Sequence, residues 1–205
     1  MVTNSPRPRS GVEKQLLKFG VDPEAWDLIA TSGDSARMAM FQGVVGNKLY
    51  FIGTPYEENF FEPLNVVKNP VNIERVPIGE AEGIVCTGPF NSLENLDVYS
   101  SDFEFAKKRG LKLLCANPDI IVDRGNIREW CAGALAKMYT DLGGESLYFG
   151  KPFQPIYDLA RQRLSSSGVQ INDDRILAIG DGVTTDILGA EKEGIDSLFI
   201  TCLLY

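Results

Sequence analysis

Residues 177–190 read LAIGDGVTTDILGA, and this stretch decides the fold. An apolar strand, predicted over DRILAIGD, ends at Gly180-Asp181 and is followed by a helix, TDILGAEKEG. A second strand, DSLFIT, follows that helix. Alternation of strand, helix and strand at this length is typical of a parallel sheet with right-handed crossovers. The stretch therefore predicts an α/β protein.

The same alternation extends toward the N-terminus. From residue 127, IREWCAGALAKMYTDLGG predicts a helix ended by Gly143-Gly144, ESLYFGK predicts a strand, and PFQPIYDLARQRLSSSG predicts a helix with proline at its start. Further upstream, WDLIATSG (26–33) predicts a buried strand, and DSARMAMFQGVVG predicts a helix stopped by Gly46. Ser10 and Glu13 form a capping-box pattern for an earlier helix, GVEKQLLKFG.

The middle of the chain differs in the length of its apolar runs and in the residues that separate them. Turns rich in proline and glycine, and a helix predicted near 92–109, separate four short apolar runs. These runs are NKLYFIGT, VNIERVP, GIVCTGP and LKLLCANPD. Such turns favour a small sheet with helices. We therefore predict a discontinuous core, residues 1–43 and 143–205, with a second α/β unit, residues 44–142, inserted in it.

Composition excludes several classes of protein. The chain has 205 residues, 44% hydrophobic and 23% charged, which is ordinary for a globular protein. Its net charge of −8 makes nucleic acid an unfavourable partner, and the basic residues of the first 20 indicate a solvated helix face. No apolar run approaches the roughly 20 residues of a membrane span, and no signal-peptide pattern is visible. We expect a cytoplasmic protein without membrane partners.

The residues absent from the composition restrict the chemistry. The chain has no histidine, so catalytic triads and pairs that need imidazole are excluded. Its four cysteines form no CxxC pair, and three of them lie in apolar, strand-like runs; they are Cys86, Cys115, Cys131 and Cys202, of which Cys131 is the exception. We interpret them as buried free thiols. The remaining reactive groups are carboxylates, lysines, hydroxyls and backbone amides.

Ligands of open parallel sheets bind at the carboxyl ends of the strands. Asp181 ends one strand, and Asp186 follows five residues later in the first turn of the next helix. Two hard carboxylate ligands suit Mg²⁺, which keeps several waters. In the structural alternative, Asp181 makes a turn and Asp186 favours a helix N-terminus. A dinucleotide fingerprint is a weaker reading, because GDG lacks a third glycine at the required spacing.

Two further strand ends carry polar groups. Lys151 lies between a strand and a helix, where its ammonium could hold a phosphoryl oxygen or orient a carboxylate, or simply occupy a surface turn. Thr3 and Asn4 end an apolar step before a loop, where a hydroxyl and successive backbone N–H groups would suit a phosphate; a frayed terminus is the alternative. In the insert, Asn117 and Asp119 of ANPD follow a strand and form either part of a lid or an Asx-Pro turn.

Taken in chain order, these motifs resemble a known family. A hydroxyl and Asn after one strand, then Gly-Lys-Pro, then GDGVTTDILGA about 30 residues later, are similar to the haloacid dehalogenase superfamily. The insert, and NPD ahead of the helix that leads to FGKP, resemble the type IIA α/β cap of its sugar-phosphate and nucleotide phosphatases. The resemblance implies a Rossmann-like parallel core with an inserted cap.

The resemblance also implies roles for individual residues. Thr3 looks like the hydroxyl that bonds the transferring phosphoryl group, and Lys151 like the lysine that offsets its charge. Asp181 and Asp186 look like the Mg²⁺ ligands. Asn4, Asn117 and Asp119 would face the substrate, a small phosphorylated metabolite. The implied reaction is hydrolysis of a phosphate monoester through an aspartyl-phosphate.

One family motif is absent. The aspartyl nucleophile and the general acid of the family lie in an Asp-x-Asp sequence after the central strand of the sheet, and no Asp-x-Asp occurs in these 205 residues. We therefore expect a chain that lacks the first core strand and is inactive alone, either because it is a fragment of a longer phosphatase or because it is a non-catalytic remnant that binds a phosphate ligand or a partner. A strand edge left uncovered would favour a homo-oligomer.

Overall fold

The computed structural model describes residues 1–54 and 58–201. Within them, helices and short strands alternate, which confirms the predicted α/β class. The helices are α1 (Arg9–Lys18), α2 (Ser32–Phe41), α3 (Ser100–Lys108), α4 (Ala132–Asp141), α5 (Gln154–Ser166) and α6 (Leu188–Glu193). The strands are β1 (Val2–Thr3), β2 (Ala30–Thr31), β3 (Lys48–Ile52), β4 (Glu74–Arg75), β5 (Gly83–Cys86), β6 (Lys112–Cys115), β7 (Ile121–Arg124), β8 (Ile127–Trp130), β9 (Glu145–Tyr148), β10 (Leu177–Gly180) and β11 (Asp196–Phe199).

The largest sheet is parallel and five-stranded, in the order β4-β3-β5-β6-β9. Alternate side chains of its central strands enter two separate apolar clusters. Leu113 packs in a cluster with residues of α3 and α4, whereas Leu114 packs in a second cluster with residues of α2. A strand covered on both faces reads as a continuous apolar run, which explains why GIVC and KLLC carry no polar alternation.

Three smaller sheets complete the described part of the chain. β1 pairs in parallel with β2, β10 pairs in parallel with β11, and β7 and β8 form an antiparallel hairpin. Helix α5 packs against β1, β2 and α6. The strand that ends at Thr3 and the strand that ends before Asp181 therefore belong to separate two-stranded sheets within the described residues.

Strand β9 lies beyond the predicted core boundary at residue 143 but pairs with β6 of the insert. The chain leaves the large sheet only after Tyr148 and reaches α5 through Gly150, Lys151 and Pro152. The lysine segment is therefore the connection between the large sheet and α5. The division into two domains stays a prediction.

The helix predicted from residue 127 is wrong in its first part. Ile127–Trp130 form β8, and α4 begins only at Ala132. Gly125 begins the two-residue turn between β7 and β8 with φ of +62°, a backbone conformation that favours glycine and that tight hairpin turns require.

The predicted start of the first helix is also wrong. Helix α1 begins at Arg9 after Pro8, so Ser10 lies inside the helix and caps nothing. Glu13 pairs instead with Arg9 at 2.6 Å. The Arg9 N–H donates to Asp34 Oδ2 at 3.0 Å, so a carboxylate from a distant helix replaces the local cap.

The buried strand predicted over 26–33 is shorter in the structure. Only Ala30–Thr31 are strand, and α2 starts at Ser32. The Thr31 hydroxyl accepts the Asp34 N–H at 2.9 Å, which is the hydrogen bond of an N-cap threonine. Because Thr31 caps α2, the strand ends there and Ser32 and Gly33 belong to the helix.

The cysteine interpretation is confirmed for three residues. Cys86, Cys115 and Cys131 are buried and form no disulfide bond, whereas Cys202 lies outside the described residues. Across 1–54 and 58–201, no helix is both long enough and apolar enough to cross a bilayer.

Candidate functional site

The side chain of Asn4 joins three segments that are far apart in the sequence. Its amide nitrogen donates to Asp119 Oδ1 at 2.8 Å and to the backbone oxygen of Lys151 at 3.2 Å. Its amide oxygen accepts the Lys151 N–H at 2.7 Å. Asn4 is 7% exposed, so these contacts satisfy a buried amide. The first loop, the ANPD loop and the lysine segment therefore meet at one residue.

The ANPD loop is held by its own side chain and by a helix. The Asn117 amide oxygen accepts the Asp119 N–H at 3.0 Å, the Asx turn that the sequence left as an alternative. The Gly133 N–H, at the start of α4, donates to the Asp119 backbone oxygen at 3.1 Å. A Cβ on Gly133 would lie 2.1 Å from the Pro118 oxygen, so only glycine permits this approach.

Lys151 and Asp186 form the central ion pair of the site. Lys151 Nζ lies 2.5 Å from Asp186 Oδ1, and each side chain is 16% exposed. Asp186 Oδ2 accepts the Gly182 N–H at 3.0 Å. The structure thus brings together a lysine and a carboxylate that are separated by 35 residues, as their position at strand ends predicts.

Asp181 lies one residue beyond β10 and is exposed. A Cβ on Gly180 would lie 2.3 Å from Asp186 Cγ, so Asp186 is held against the strand end that precedes Asp181. Two carboxylates at one strand end, one of them open to solvent, fit an ion that takes few protein ligands and keeps its waters. No cluster of three or more carboxylate, thiol or imidazole groups suited to a metal exists among the described residues.

Thr3 begins a loop whose backbone N–H groups are only weakly engaged. The Thr3 hydroxyl accepts the Ser5 N–H at 3.3 Å, and the Ser5 hydroxyl accepts the Arg7 N–H at 3.3 Å. Both distances are long for N–H···O hydrogen bonds. The loop is anchored where the Gly33 N–H donates to the Ser5 oxygen at 3.0 Å. A phosphate oxygen could therefore replace these weak local contacts without unfolding the loop.

Four of the predicted residues line one large cleft. Its volume is about 1220 Å³, and it lies between the N-terminal loop with α1 and the loops of the insert. The predicted residues on its wall are Thr3, Asn4, Asn117 and Asp119. A second cavity, of about 400 Å³, is lined by Asp119, Lys151, Thr184 and Thr185. Asp119 belongs to both, so Lys151 lies next to the cleft rather than on its wall.

Two other titratable groups near the site stay neutral. Burial, with a smaller contribution from the charge of Asp186, raises the pKa of Tyr157 to about 12. Burial, with the charge of Asp119, raises the pKa of Cys131 to about 11. Cys131 lines the cleft, but a thiol that stays protonated at neutral pH is a poor nucleophile.

The sequence reasoning missed the hairpin wall of the cleft. Val122 and Arg124 of β7 and Glu129 and Trp130 of β8 line it, as does Phe90 from an adjacent loop. A signal for the hairpin was present, because Gly125-Asn126 separates two short runs rich in apolar residues. No comparable signal existed for Phe90, whose position depends on tertiary contacts.

Comparison with known proteins identifies relatives of the chain. A family model described as HAD-hydrolase-like matches residues 148–202. A crystal structure of a hydrolase of the haloacid dehalogenase-like family from Brucella suis 1330 is 41% identical, with a TM-score of 0.87, covering 98% of this chain and 72% of that protein. No curated protein matches the chain.

Two more distant structures share the fold. A p-nitrophenyl phosphatase from Archaeoglobus fulgidus is 22% identical, with a TM-score of 0.64, and covers 97% of this chain and 71% of that one. A 4-nitrophenylphosphatase from Thermotoga maritima is 18% identical, with a TM-score of 0.70, and covers 98% of this chain and 71% of that one. At such identities the likeness concerns the fold alone.

Proposed function

Because the chain belongs to the haloacid dehalogenase superfamily, we propose that it forms the phosphate- and metal-binding part of a Mg²⁺-dependent phosphatase of subfamily IIA. The substrate would be a small phosphate monoester, a sugar phosphate or a nucleotide-like metabolite. The observation that carries the proposal is the convergence of Asn4, Asp119 and Lys151 through direct hydrogen bonds. Asn4 and Asp119 line a cleft that is large enough for such a ligand, and Lys151 lies next to it.

Asp181 and Asp186 would hold Mg²⁺, with water and phosphoryl oxygens as the other ligands. When bound there, the ion would neutralise charge on the phosphoryl oxygens. Asp186 already uses its two oxygens for Lys151 and Gly182, so Asp181 supplies the open carboxylate of the pair.

The protein groups would divide the work of binding the phosphoryl group. The Ser5 N–H donates a long hydrogen bond of 3.3 Å to the Thr3 hydroxyl. A phosphate oxygen that entered the loop would accept hydrogen bonds from both groups instead. The Lys151 ammonium, fixed by Asp186 at 2.5 Å, supplies the positive charge that phosphoryl transfer requires. Asn4 would hold Asp119 and Lys151 in register with Thr3.

One sequence fact favours a second candidate function. The 205 residues contain no Asp-x-Asp, so none of their carboxylates matches the family nucleophile. Phosphate binding without turnover, by the isolated chain 1–205, is therefore the second candidate. We expect this chain to bind phosphate and not to hydrolyse p-nitrophenyl phosphate.

Phosphate binding is tested by calorimetric titration of the chain 1–205 with inorganic phosphate in the presence of Mg²⁺. Lys151→Ala should abolish the binding, because it removes the cation beside the cleft. Lys112→Ala is the matched control, since Lys112 is exposed and pairs with Glu145 at 2.8 Å where β6 and β9 begin. Asp181→Asn should weaken the dependence on Mg²⁺ while the fold is retained.

Two results would contradict these expectations. Phosphate binding that Lys151→Ala and Lys112→Ala affect equally would exclude the lysine site. Robust hydrolysis of p-nitrophenyl phosphate by the pure chain, abolished by Asp181→Ala, would show that turnover does not need an Asp-x-Asp sequence.

A further inference from the structure

The wall of the large cleft that α1 provides carries two basic side chains. Arg7, two residues before the helix, and Lys14, within it, are exposed and line the cleft. Within the described part of the chain neither of them forms an ion pair, whereas Arg9 of the same segment pairs with Glu13. Two uncompensated positive charges therefore lie on this wall, in a chain whose net charge is −8.

The Arg7 side chain is held along the surface of α1. Its Nη2 donates to Gln15 Oε1 at 2.8 Å. Its Cβ lies 3.5 Å from the position that a Cβ on Gly11 would occupy, so the arginine crosses the helix where no side chain stands. Gln15 is neutral and leaves the charge of the guanidinium uncancelled. Because this contact orders Arg7 before a ligand arrives, less entropy is lost on binding.

Lys14 belongs to the same side of the helix. Residues three and four apart are neighbours on a helix surface, so Lys14 lies next to Ser10 and Gly11, and all three line the cleft. Within residues 1–54 and 58–201 the Lys14 ammonium has no hydrogen-bond partner from the protein. Its charge is therefore available to a ligand that enters the cleft along α1.

The charges on the hairpin wall of the cleft are already paired. Arg124 Nε lies 3.4 Å from Glu129 Oε2, and Arg128 Nε lies 2.8 Å from Asp123 Oδ1. The third carboxylate on the cleft wall, that of Asp119, accepts a hydrogen bond from the first loop at 2.8 Å. The positive charge that lacks an acidic partner is therefore that of the α1 wall, and an anion is the ligand group that would compensate it.

We propose that Arg7 and Lys14 form a subsite for a second anionic group of the substrate, a carboxylate or a second phosphate. This subsite rests on the proposed phosphate-binding function, because Thr3 and Asn4 line the same cleft and would hold the phosphoryl end of the ligand. The preferred substrates are then phosphate monoesters that carry a further negative charge, such as phosphorylated sugar acids. Phosphate esters of neutral alcohols and polyols bind less tightly, because they leave the two cations without a partner.

The affinity test compares ligands that differ in one anionic group, by calorimetric titration of the chain 1–205 in excess Mg²⁺. The carboxylate pairs are 3-phosphoglycerate with glycerol 3-phosphate and 6-phosphogluconate with glucitol 6-phosphate, which sample two ligand lengths. Fructose 1,6-bisphosphate with fructose 6-phosphate tests a second phosphate instead. In at least one pair the more charged ligand should bind about tenfold more tightly at low ionic strength, as expected for two ion pairs near a protein surface. Added salt should reduce this difference.

Two double variants assign the effect to the cleft wall. Arg7→Gln/Lys14→Gln should abolish the difference within each pair, because it removes both cations of the subsite. Arg9→Gln/Lys18→Gln is the matched control, since it removes two charges from the same helix at exposed positions that do not line the cleft. This control should retain the difference. The ratio of affinities within a pair is the readout, so a general change in phosphate binding cancels.

Equal affinities within every pair would overturn the subsite, as would a difference that Arg7→Gln/Lys14→Gln leaves intact or that both double variants reduce equally. Failure of wild type to bind any of these phosphates, inorganic phosphate included, would instead contradict the proposed function. In that case an NMR titration with succinate still decides the subsite. Succinate should shift the backbone N–H resonances of Ser10 and Gly11 in wild type and not in Arg7→Gln/Lys14→Gln. Unshifted resonances in wild type, or equal shifts in both chains, would reject the cationic wall itself.

Discussion

The large sheet and the β10–β11 pair contain strands of similar composition in opposite environments. Leu113, on the central strand β6, is fully buried. Ile179, on β10, is 62% exposed, and its neighbours Leu177 and Leu198 are 54% and 48% exposed. Both strands read as apolar runs in the sequence. The comparison teaches that a run of apolar residues predicts a strand but does not determine how deeply that strand is buried.

A third region, formed by β1, β2 and α5, differs from the large sheet in its balance of apolar and polar contacts. The cluster between the large sheet, α3 and α4 contains fully buried aromatic and aliphatic side chains. Among the described residues, the apolar cluster around β1, β2 and α5 has four buried members. Ion pairs and side-chain amide hydrogen bonds add to the contacts of this region. Asp34 is the centre of these, since it lies 2.9 Å from Arg37 and 2.7 Å from Arg163. Asp34 therefore joins α2 to α5 and to the start of α1 through buried polar contacts.

Removal of the Asp34 carboxylate should give the largest effect. Asp34→Ala leaves Arg37 and Arg163 without their buried partner and should lower the free energy of unfolding by about 3–5 kcal/mol. Urea denaturation followed by circular dichroism measures the loss. Asp97→Ala is the control, because Asp97 is exposed in the 3₁₀ turn Leu96–Tyr99. Equal effects of the two substitutions would show that the polar network contributes no stability.

A matched pair of apolar truncations tests the difference in burial directly. Leu113→Ala should cost about 2–5 kcal/mol because it opens a cavity in a packed core. Ile179→Ala should cost less than about 0.5 kcal/mol because the side chain already faces solvent. The shift of the urea unfolding midpoint, at an unchanged m-value, measures the loss of unfolding free energy for each variant. A cost for Ile179→Ala as large as that for Leu113→Ala would mean that β10 is buried in solution.

Truncation of the Asn4 amide should have an intermediate effect. Asn4→Ala removes three hydrogen bonds, and the unfolding free energy should fall by about 1–3 kcal/mol. Phosphate binding should fall as well, because Lys151 and Asp119 lose their link to the first loop. Asn95→Ala, which removes a local contact in an exposed turn, should leave phosphate binding unchanged. Unaltered phosphate binding in Asn4→Ala would show that the three segments are positioned by other contacts.

The smallest effect concerns the acid sensitivity of the large sheet. Hydrogen bonds from the N–H groups of Asn47 and Lys48 hold the pKa of Glu82 below its ordinary value of 4.5. A depressed pKa means that the ionised form stabilises the fold above that value and that this contribution is lost as the pH falls through the folded pKa. Glu82→Gln should therefore flatten the acid end of the stability profile slightly, whereas Glu80→Gln should not. Identical profiles for wild type and Glu82→Gln between pH 2 and 5 would reject this role.

The sequence predicted more of the site than of its surroundings. Lys151, Asp186, Asn4 and Asp119 all come after predicted strands, and the structure brings these residues together in pairs. Strand ends are legible because turn residues and apolar runs mark them. The helix predicted from residue 127 wrongly includes β8, because IREW has no strict alternation of apolar and polar residues and precedes a genuine helix.

Residues 177–190 by themselves determined the strand–helix unit, its chain direction and the polar groups at its carboxyl end, because local turn chemistry and apolar patterning encode these features. Only the tertiary structure decided that β9 pairs with β6, that Asp34 replaces a local cap for α1, and that Ile179 stays exposed. Pairing partners and burial depend on which distant surfaces meet, and the pattern of one segment carries no record of the surface it will pack against. The position of Phe90 on Tyr99 belongs to the same class, since a stacking contact has no signature along the chain.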